Sequence, residues 1–218
     1  ELQNNIKIKV DVKRFLSLEL EEVGAIKYSV TPISSNASIS YTPYLDAGIT
    51  NEDTNWDDQF WDVLNITQNN QQAFVEAKTM KTNFHTCTFM QSRLFIDSEE
   101  VLTDCNNSLT EKSASCTYSQ NINKNQTFTI HKFGGYVVDR KHDKNELVTV
   151  AKDILDKAVS FGFEALLETQ IQSWAKIWNM SDITISGDVK AQQGIRFNIF
   201  QLNQTYLGTD ASLNIGPK

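Results

Sequence analysis

Residues 6–12 read IKIKVDV, and this stretch alternates strictly between apolar and charged side chains. A period of two is typical of a β-strand, because successive side chains of a strand point to opposite faces of its sheet. We therefore predict a strand here with one face buried. Residues 25–30 (AIKYSV) repeat the alternation, and Pro32 ends it because proline donates no hydrogen bond to a ladder.

Further stretches before residue 144 have strand character and are separated by polar turns. They are residues 38–43, 73–78, 84–90, 126–133 and 135–138. Many short strands with polar turns are typical of an antiparallel sandwich. The predicted fold class is therefore mainly β with α, with a β-sandwich domain over residues 1–144.

After residue 144 the hydrophobic period changes to that of a helix. Gly162 is suited to the C-terminal cap of a first helix. A second helix carries Trp174 and Trp178 one turn apart, and Asp188 is a suitable N-cap for a third. The apolar positions at helical spacing in the first helix are Leu147, Val150, Ala151, Ile154, Leu155 and Ala158.

Composition and missing motifs exclude several classes of function. The chain has 218 residues and a formal net charge of −7, which argues against nucleic acid as its main partner. No apolar run approaches the about 18 residues of a transmembrane helix, so no membrane partner is predicted. The sequence contains no phosphate-binding glycine loop, no nucleophile elbow and no zinc-protease motif. We therefore assign no catalytic residue, no metal site and no cofactor.

The three cysteines, Cys87, Cys105 and Cys116, do not form the pattern of a disulfide framework. Buried or half-buried thiols are the favoured interpretation. A bridge between Cys105 and Cys116 in an oxidising compartment stays open as the alternative.

The segment of residues 51–62 reads NEDTNWDDQFWD and combines aromatic side chains with five carboxylates. Trp56 and Trp61 are candidates for contacts with a sugar, since loops carry binding residues more often than strands do. The other interpretation is a surface loop that is held in place by its aromatic residues.

An ordered set of short motifs runs along most of the chain. They are RFLS at 14–17, AIKYSVTP at 25–32, YLD at 44–46, WAKIW at 174–178, SDI at 181–183, QQGIRFNIFQL at 192–202 and LNIGPK at 213–218. No single motif is decisive, but their order resembles that of glycoside hydrolase family 65, which contains the maltose, trehalose and kojibiose phosphorylases.

The resemblance implies an architecture. Residues 1–144 would form a galactose mutarotase-like, antiparallel β-super-sandwich that lacks its first strands. Residues 145–187 would be a helical linker, and residues 188–218 the first helix and entry of an (α/α)6 barrel. The family's catalytic glutamate and phosphate-binding loop would follow Lys218 in chain order. We therefore expect an internal fragment without a catalytic residue.

The implied function is that of a non-catalytic N-terminal and linker portion of a disaccharide phosphorylase in carbohydrate metabolism. The parent enzyme would cleave an α-linked disaccharide with inorganic phosphate and inversion, without metal or cofactor. Trp174, Trp178, Arg196 and Phe197 are expected to pack between domains. The expected partners are the remainder of the parent chain and a second copy in a homo-oligomer, in the cytoplasm. The alternatives are a stand-alone carbohydrate-binding module and a parent that is a family 65 hydrolase.

Overall fold

The computed structural model describes residues 6–50 and 59–210, and the chain divides into two compact units, Glu1–Leu167 and Glu168–Lys218. The elements in the described part are β1 (Ile8–Leu16), β2 (Val23–Pro32), β3 (Ala37–Tyr41), β4 (Tyr44–Asp46), β5 (Trp61–Asn69), β6 (Gln72–Thr79), β7 (His85–Ile96), β8 (Glu99–Val101), β9 (Asn106–Leu109), β10 (Ser113–Ile122), β11 (Phe128–Val138), α1 (Leu147–Ser181) and α2 (Val189–Thr205). None of the described helices is long and apolar enough to cross a membrane.

The first unit contains two antiparallel sheets. The larger has seven strands in the order β1-β2-β11-β7-β6-β5, with β8 paired to β7. The smaller has the order β3-β10-β4, with β9 paired to β10. The strands β7 and β11 pair in unbroken register from Phe128↔Ile96 to Val138↔Thr86 at the centre of the larger sheet. The antiparallel sandwich predicted from the alternation is confirmed.

The larger sheet is covered on both faces. In β11, Phe133 and Val137 lie in a core cluster shared with α1, whereas Phe128 and Ile130 lie in a second cluster shared with the smaller sheet. Since side chains alternate between faces, one strand serves two cores. The first unit is therefore built of a sheet, a second sheet and a helix in three layers.

The helix α1 presents the apolar positions that its spacing predicts. Leu147, Ala151, Leu155 and Ala158 are all buried. Gly162 was predicted as a cap and has φ 76°, but the chain resumes a helix directly after it. This break places Phe163 in the core, where its ring centroid lies 5.5 Å from that of Phe15.

Several strand predictions need correction. The two strands predicted at 126–133 and 135–138 are the single strand β11. The strand β1 forms as predicted, but its predicted buried face is wrong: Val10 and Val12 are 42% and 50% exposed. The physical reason is that β1, at the edge of the larger sheet, lies at the margin of the covering layers: of its residues, Ile8 and Phe15 pack against a core cluster, and Val10 and Val12 do not.

The cysteines also differ from the favoured interpretation. Cys105 and Cys116 pair as a disulfide with Cα atoms 5.5 Å apart, which lies within the usual range for such bonds. The pairing arises because β9 starts directly after Cys105 and runs beside β10, which carries Cys116. Cys87 is a free thiol buried in β7, and this burial raises its pKa to about 12.

A row of basic side chains crosses the larger sheet beneath α1. Lys27, His131 and Arg93 are register partners on β2, β11 and β7. Lys27 Nζ lies 2.6 Å from Glu164 Oε1, and Arg93 Nε lies 2.6 Å from Glu100 Oε1.

The ring of His131 lies between two aromatic rings, 4.4 Å from that of Phe95 and 5.2 Å from that of Phe163 between centroids. Burial, with a smaller contribution from the charge of Lys27, lowers the pKa of His131 to about 4.

We predict that His131 makes the stability of the chain depend on pH. Its pKa is about 4 in the fold and about 6.5 in the unfolded chain, so the unfolded state binds more protons between these values. The stabilising contribution is complete above about pH 6.5 and is lost as the pH falls toward 4. His131→Phe should reduce the dependence of the unfolding free energy on pH in this window, as measured by urea titrations. Equal slopes for the two proteins would contradict the assignment.

A second prediction concerns Gly135 in β11. A Cβ atom there would overlap the carbonyl oxygen of Glu22, which accepts a hydrogen bond from the backbone of Tyr136 at 3.2 Å. Gly135→Ala should therefore cost about 2 to 3 kcal/mol of unfolding free energy. The control is Gly194→Ala in α2, where a Cβ meets nothing within 4 Å and helix propensity should add up to about 1 kcal/mol. Similar effects of the two changes would contradict the prediction.

Candidate functional site

The two tryptophans predicted for sugar binding have different outcomes. Trp56 lies outside the described residues. Trp61 belongs to β5, where it pairs with Thr79, and it is half-buried. The assignment of Trp61 to a loop is wrong, because Trp61 begins β5, whose Val63 and Ile66 pack against a core cluster of the first unit. Sugar binding by Trp56 and Trp61 stays a prediction.

The four residues predicted to pack between domains lie in the second unit, on the C-terminal part of α1 and on α2. Trp174 and Trp178 are one turn apart, with ring centroids separated by 6.0 Å. The ring of Phe200 lies 5.0 Å from that of Trp174, so α2 contacts this pair. The sequence did not single out Phe200, although its position three residues after Phe197 places both on neighbouring parts of one helix face.

A shallow, open cavity of about 540 Å³ lies beside these aromatic residues. Trp178, Arg196, Phe197 and Phe200 contribute to its walls, together with Val189 at the start of α2. Phe197 is 58% exposed and Val189 is 84% exposed. We call the surface formed by Trp174, Trp178, Val189, Phe197 and Phe200 the aromatic face. It exposes large apolar side chains close together, which is characteristic of interaction surfaces.

Arg196 has the carboxylate partner that its place on an apolar helix requires. Its Nε and Nη2 atoms donate to the two carboxylate oxygens of Asp182 at 2.9 and 2.6 Å. This pairing lowers the pKa of Asp182, mainly through the hydrogen bonds from Arg196. The structure therefore balances the charge of Arg196 with a carboxylate. The two-pronged contact fixes the guanidinium and cancels its charge at the rim of the cavity.

The loop before α2 is held by side-chain hydrogen bonds. Asp188 Oδ1 accepts a hydrogen bond from the backbone of Ala191 at 3.0 Å, which confirms Asp188 as the N-cap. Gln192 accepts from the backbone of Ile185 at 2.7 Å and donates to the carbonyl of Ile183 at 2.9 Å. These contacts fix where α2 begins, and with it the positions of Arg196 and Phe197.

The carboxylates beside the aromatic face have partners. Asp182 is paired with Arg196, and Asp188 caps α2. Across residues 6–50 and 59–210, no group of three histidine, cysteine, aspartate or glutamate side chains could hold a metal ion. Fold and surface together define a β-sandwich domain followed by helices that expose apolar side chains.

Comparison with known proteins identifies the family. The model for "Glycosyl hydrolase family 65, N-terminal domain" matches residues 1–177. The chain is 34% identical to maltose phosphorylase of Bacillus subtilis and 28% identical to alpha,alpha-trehalose phosphorylase of Thermoanaerobacter brockii. Each alignment covers 97% of this chain. The chain belongs to glycosyl hydrolase family 65 and carries the N-terminal domain of its disaccharide phosphorylases. The resemblance inferred from the short motifs is confirmed.

A solved structure agrees with this fold. It is a proposed kojibiose phosphorylase from the human microbiome, with a TM-score of 0.86 over 99% of this chain and 24% sequence identity. The chain spans about a quarter of the length of its relatives: 27% of the maltose phosphorylase, 28% of the trehalose phosphorylase and 27% of the solved chain.

The N-cap of α2 offers a direct test of what positions the aromatic face. Asp188→Ala should lower the unfolding free energy of α2 by about 1 kcal/mol, since a donor of the first helical turn loses its acceptor. Asp188→Asn keeps an acceptor oxygen and is the matched control, which should retain most of the stability. Far-ultraviolet circular dichroism during urea unfolding measures both. Equal losses in the two variants would show that the side-chain acceptor is not what stabilises the helix.

Proposed function

We propose that this chain is the non-catalytic N-terminal part of a longer disaccharide phosphorylase that acts in the cytoplasm. The complete enzyme cleaves an α-linked disaccharide with inorganic phosphate as co-substrate and inverts the anomeric carbon. The partners are the catalytic barrel of the same polypeptide, a second copy of the enzyme and the disaccharide. The observation that carries this proposal is the 34% identity to maltose phosphorylase over 97% of the chain.

In this proposal the aromatic face packs against the catalytic barrel. Phe197 and Val189 expose apolar area whose removal from water is favourable by about 25 cal/mol per Å². Arg196 would otherwise oppose burial, because an unpaired charge is costly to remove from water. Asp182 already neutralises the guanidinium of Arg196 with two hydrogen bonds, so the rim of the face can be covered without burying an unpaired charge.

The reaction is tested on the product of the complete gene that encodes this sequence. Maltose, trehalose, kojibiose and nigerose are each incubated with the enzyme, with and without inorganic phosphate. We expect cleavage of at least one of them only when phosphate is present, with a sugar phosphate of inverted anomeric configuration as product. Cleavage at the same rate in water alone would instead favour a family 65 hydrolase. Inactivity toward all four would contradict the proposed substrate class.

The packing role of the aromatic face is tested by comparing one variant in two settings. Phe197→Asp should leave the stability of the isolated chain nearly unchanged, because the side chain is already 58% exposed there. In the complete gene product it should cost about 3 kcal/mol, since it would place a carboxylate in an apolar interface.

The matched control for Phe197→Asp is Asn198→Asp, which adds the same charge at the next exposed position of α2. Thermal unfolding of both variants, in both settings, measures the difference. If Phe197→Asp had the same small effect in the complete enzyme as in the isolated chain, the face would not be an interdomain surface.

A further inference from the structure

A second cavity, in the first unit, is of a different chemical kind from the aromatic face. Its volume is about 710 Å³. It lies where the β5–β6 turn, the middle of β7 and the segment between β8 and β9 come together. Six of the residues that line it carry carboxamide side chains: Asn69, Asn70, Gln71, Gln72, Gln91 and Asn107.

Three of these amides are held in fixed orientations by hydrogen bonds. Gln72 Nε2 donates to Gln91 Oε1 at 2.9 Å and to Asp156 Oδ1 at 2.7 Å. Asn107 Oδ1 accepts from Gln68 Nε2 at 2.6 Å. These bonds occupy one end of each amide. The opposite ends, Gln72 Oε1, Gln91 Nε2 and Asn107 Nδ2, have no hydrogen-bond partner among the described residues. Gln72 and Gln91 offer one acceptor and one donor from the face of the larger sheet that contacts α1. Asn107 offers its donor from the other face, where its partner Gln68 also bonds to the carbonyl of Ser115 in β10.

The walls of the cavity are fixed in position as well. The β5–β6 turn contains Asn70 with φ 51°, a left-handed conformation that asparagine tolerates better than most residues. On the other side, Cys105 lines the cavity and is joined to Cys116 of β10. A site whose walls and amides are already in place loses little freedom when a ligand binds.

The charges of the cavity define its ligand. Among the described residues that line it, Asp104 is the only charged one, and no lysine, arginine or histidine is present. The described lining therefore offers phosphate and other anions no positively charged side chain. Amides that donate and accept match hydroxyl groups, each of which is also a donor and an acceptor. Thr103 adds a hydroxyl, and Leu102, 94% exposed, supplies an apolar patch at the rim.

We propose that this cavity is a binding site for a neutral, polyhydroxylated ligand of the sugar class. It lies in the N-terminal domain and binds without any catalytic residue. The site is independent of the proposed phosphorolysis, because it uses only residues of this chain. Its volume accommodates one or two sugar rings, as in small-molecule sites of ordinary size.

The test is a nuclear magnetic resonance titration of the isotope-labelled 218-residue chain with maltose, followed through the side-chain amide signals of glutamine and asparagine. We expect the signals of Gln72, Gln91 and Asn107 to shift together and to saturate in the millimolar range. Sodium phosphate is the comparison ligand and should leave these signals in place. No shift with tens of millimolar maltose would overturn the proposal, as would shifts confined to other residues or a larger effect of phosphate.

Two variants test the groups that the geometry leaves available. Gln91→Glu keeps the acceptor that Gln72 uses and replaces the free donor with a carboxylate oxygen. Asn107→Asp keeps the acceptor that Gln68 uses and removes the other donor. Each should weaken maltose binding about fivefold, the effect of one net hydrogen bond. Gln172→Met, in the second unit, is the control and should bind as the parent does. Unchanged affinity in both variants, with circular dichroism unchanged, would overturn the proposed site.

Discussion

The pairing of β7 with β11 is the constraint on which the first unit depends. These strands are the longest of the larger sheet and stay in register from one end of β11 to the other. Because they lie at its centre, both of their faces must be covered. The smaller sheet covers one face and α1 the other, so neither core cluster exists without this pair.

A close approach of backbone explains Gly135 in β11. The backbone of Glu22 approaches the strand so closely at Gly135 that no side chain fits. In the sequence, the pair Gly134-Gly135 resembles a break between two strands, and the alternation on either side predicts two separate elements. The structure shows one strand, because what looks like a turn signal is a close approach of backbone. A single sequence cannot distinguish these, since the contact comes from a residue more than a hundred positions away.

How far the sequence predicts the fold depends on how strongly each strand alternates. The strands β1, β2 and β7 combine apolar and polar residues in a clear period of two and are predicted. The strand β10 is missed, although Ala114, Cys116 and Tyr118 alternate into the core. Its inward residues are small or polar in type, and its outward ones are serines and threonines, so the contrast in hydrophobicity is weak. The prediction of a buried face for β1 is wrong for the opposite reason: the alternation is strong, but the strand lies at an edge of the sheet.

The two candidate surfaces differ in how much a sequence can reveal about them. Much of the aromatic face arises from residues close together along the chain, since helical spacing places Trp174 next to Trp178 and Phe197 next to Phe200. The amide-lined cavity has no such local signal, because sheet pairing brings its walls together from three segments spread over residues 69–107. Asparagine and glutamine are also common in this chain, so none of them stands out. The prediction of sugar binding at residues 51–62 rested on the aromatic side chains there. The described structure instead holds amide groups, which can bond to hydroxyl groups, at Gln72, Gln91 and Asn107. In the proposed site, β-sheet register and the bridge from Cys105 to Cys116 hold the lining in place, and neither leaves a local signal in the sequence.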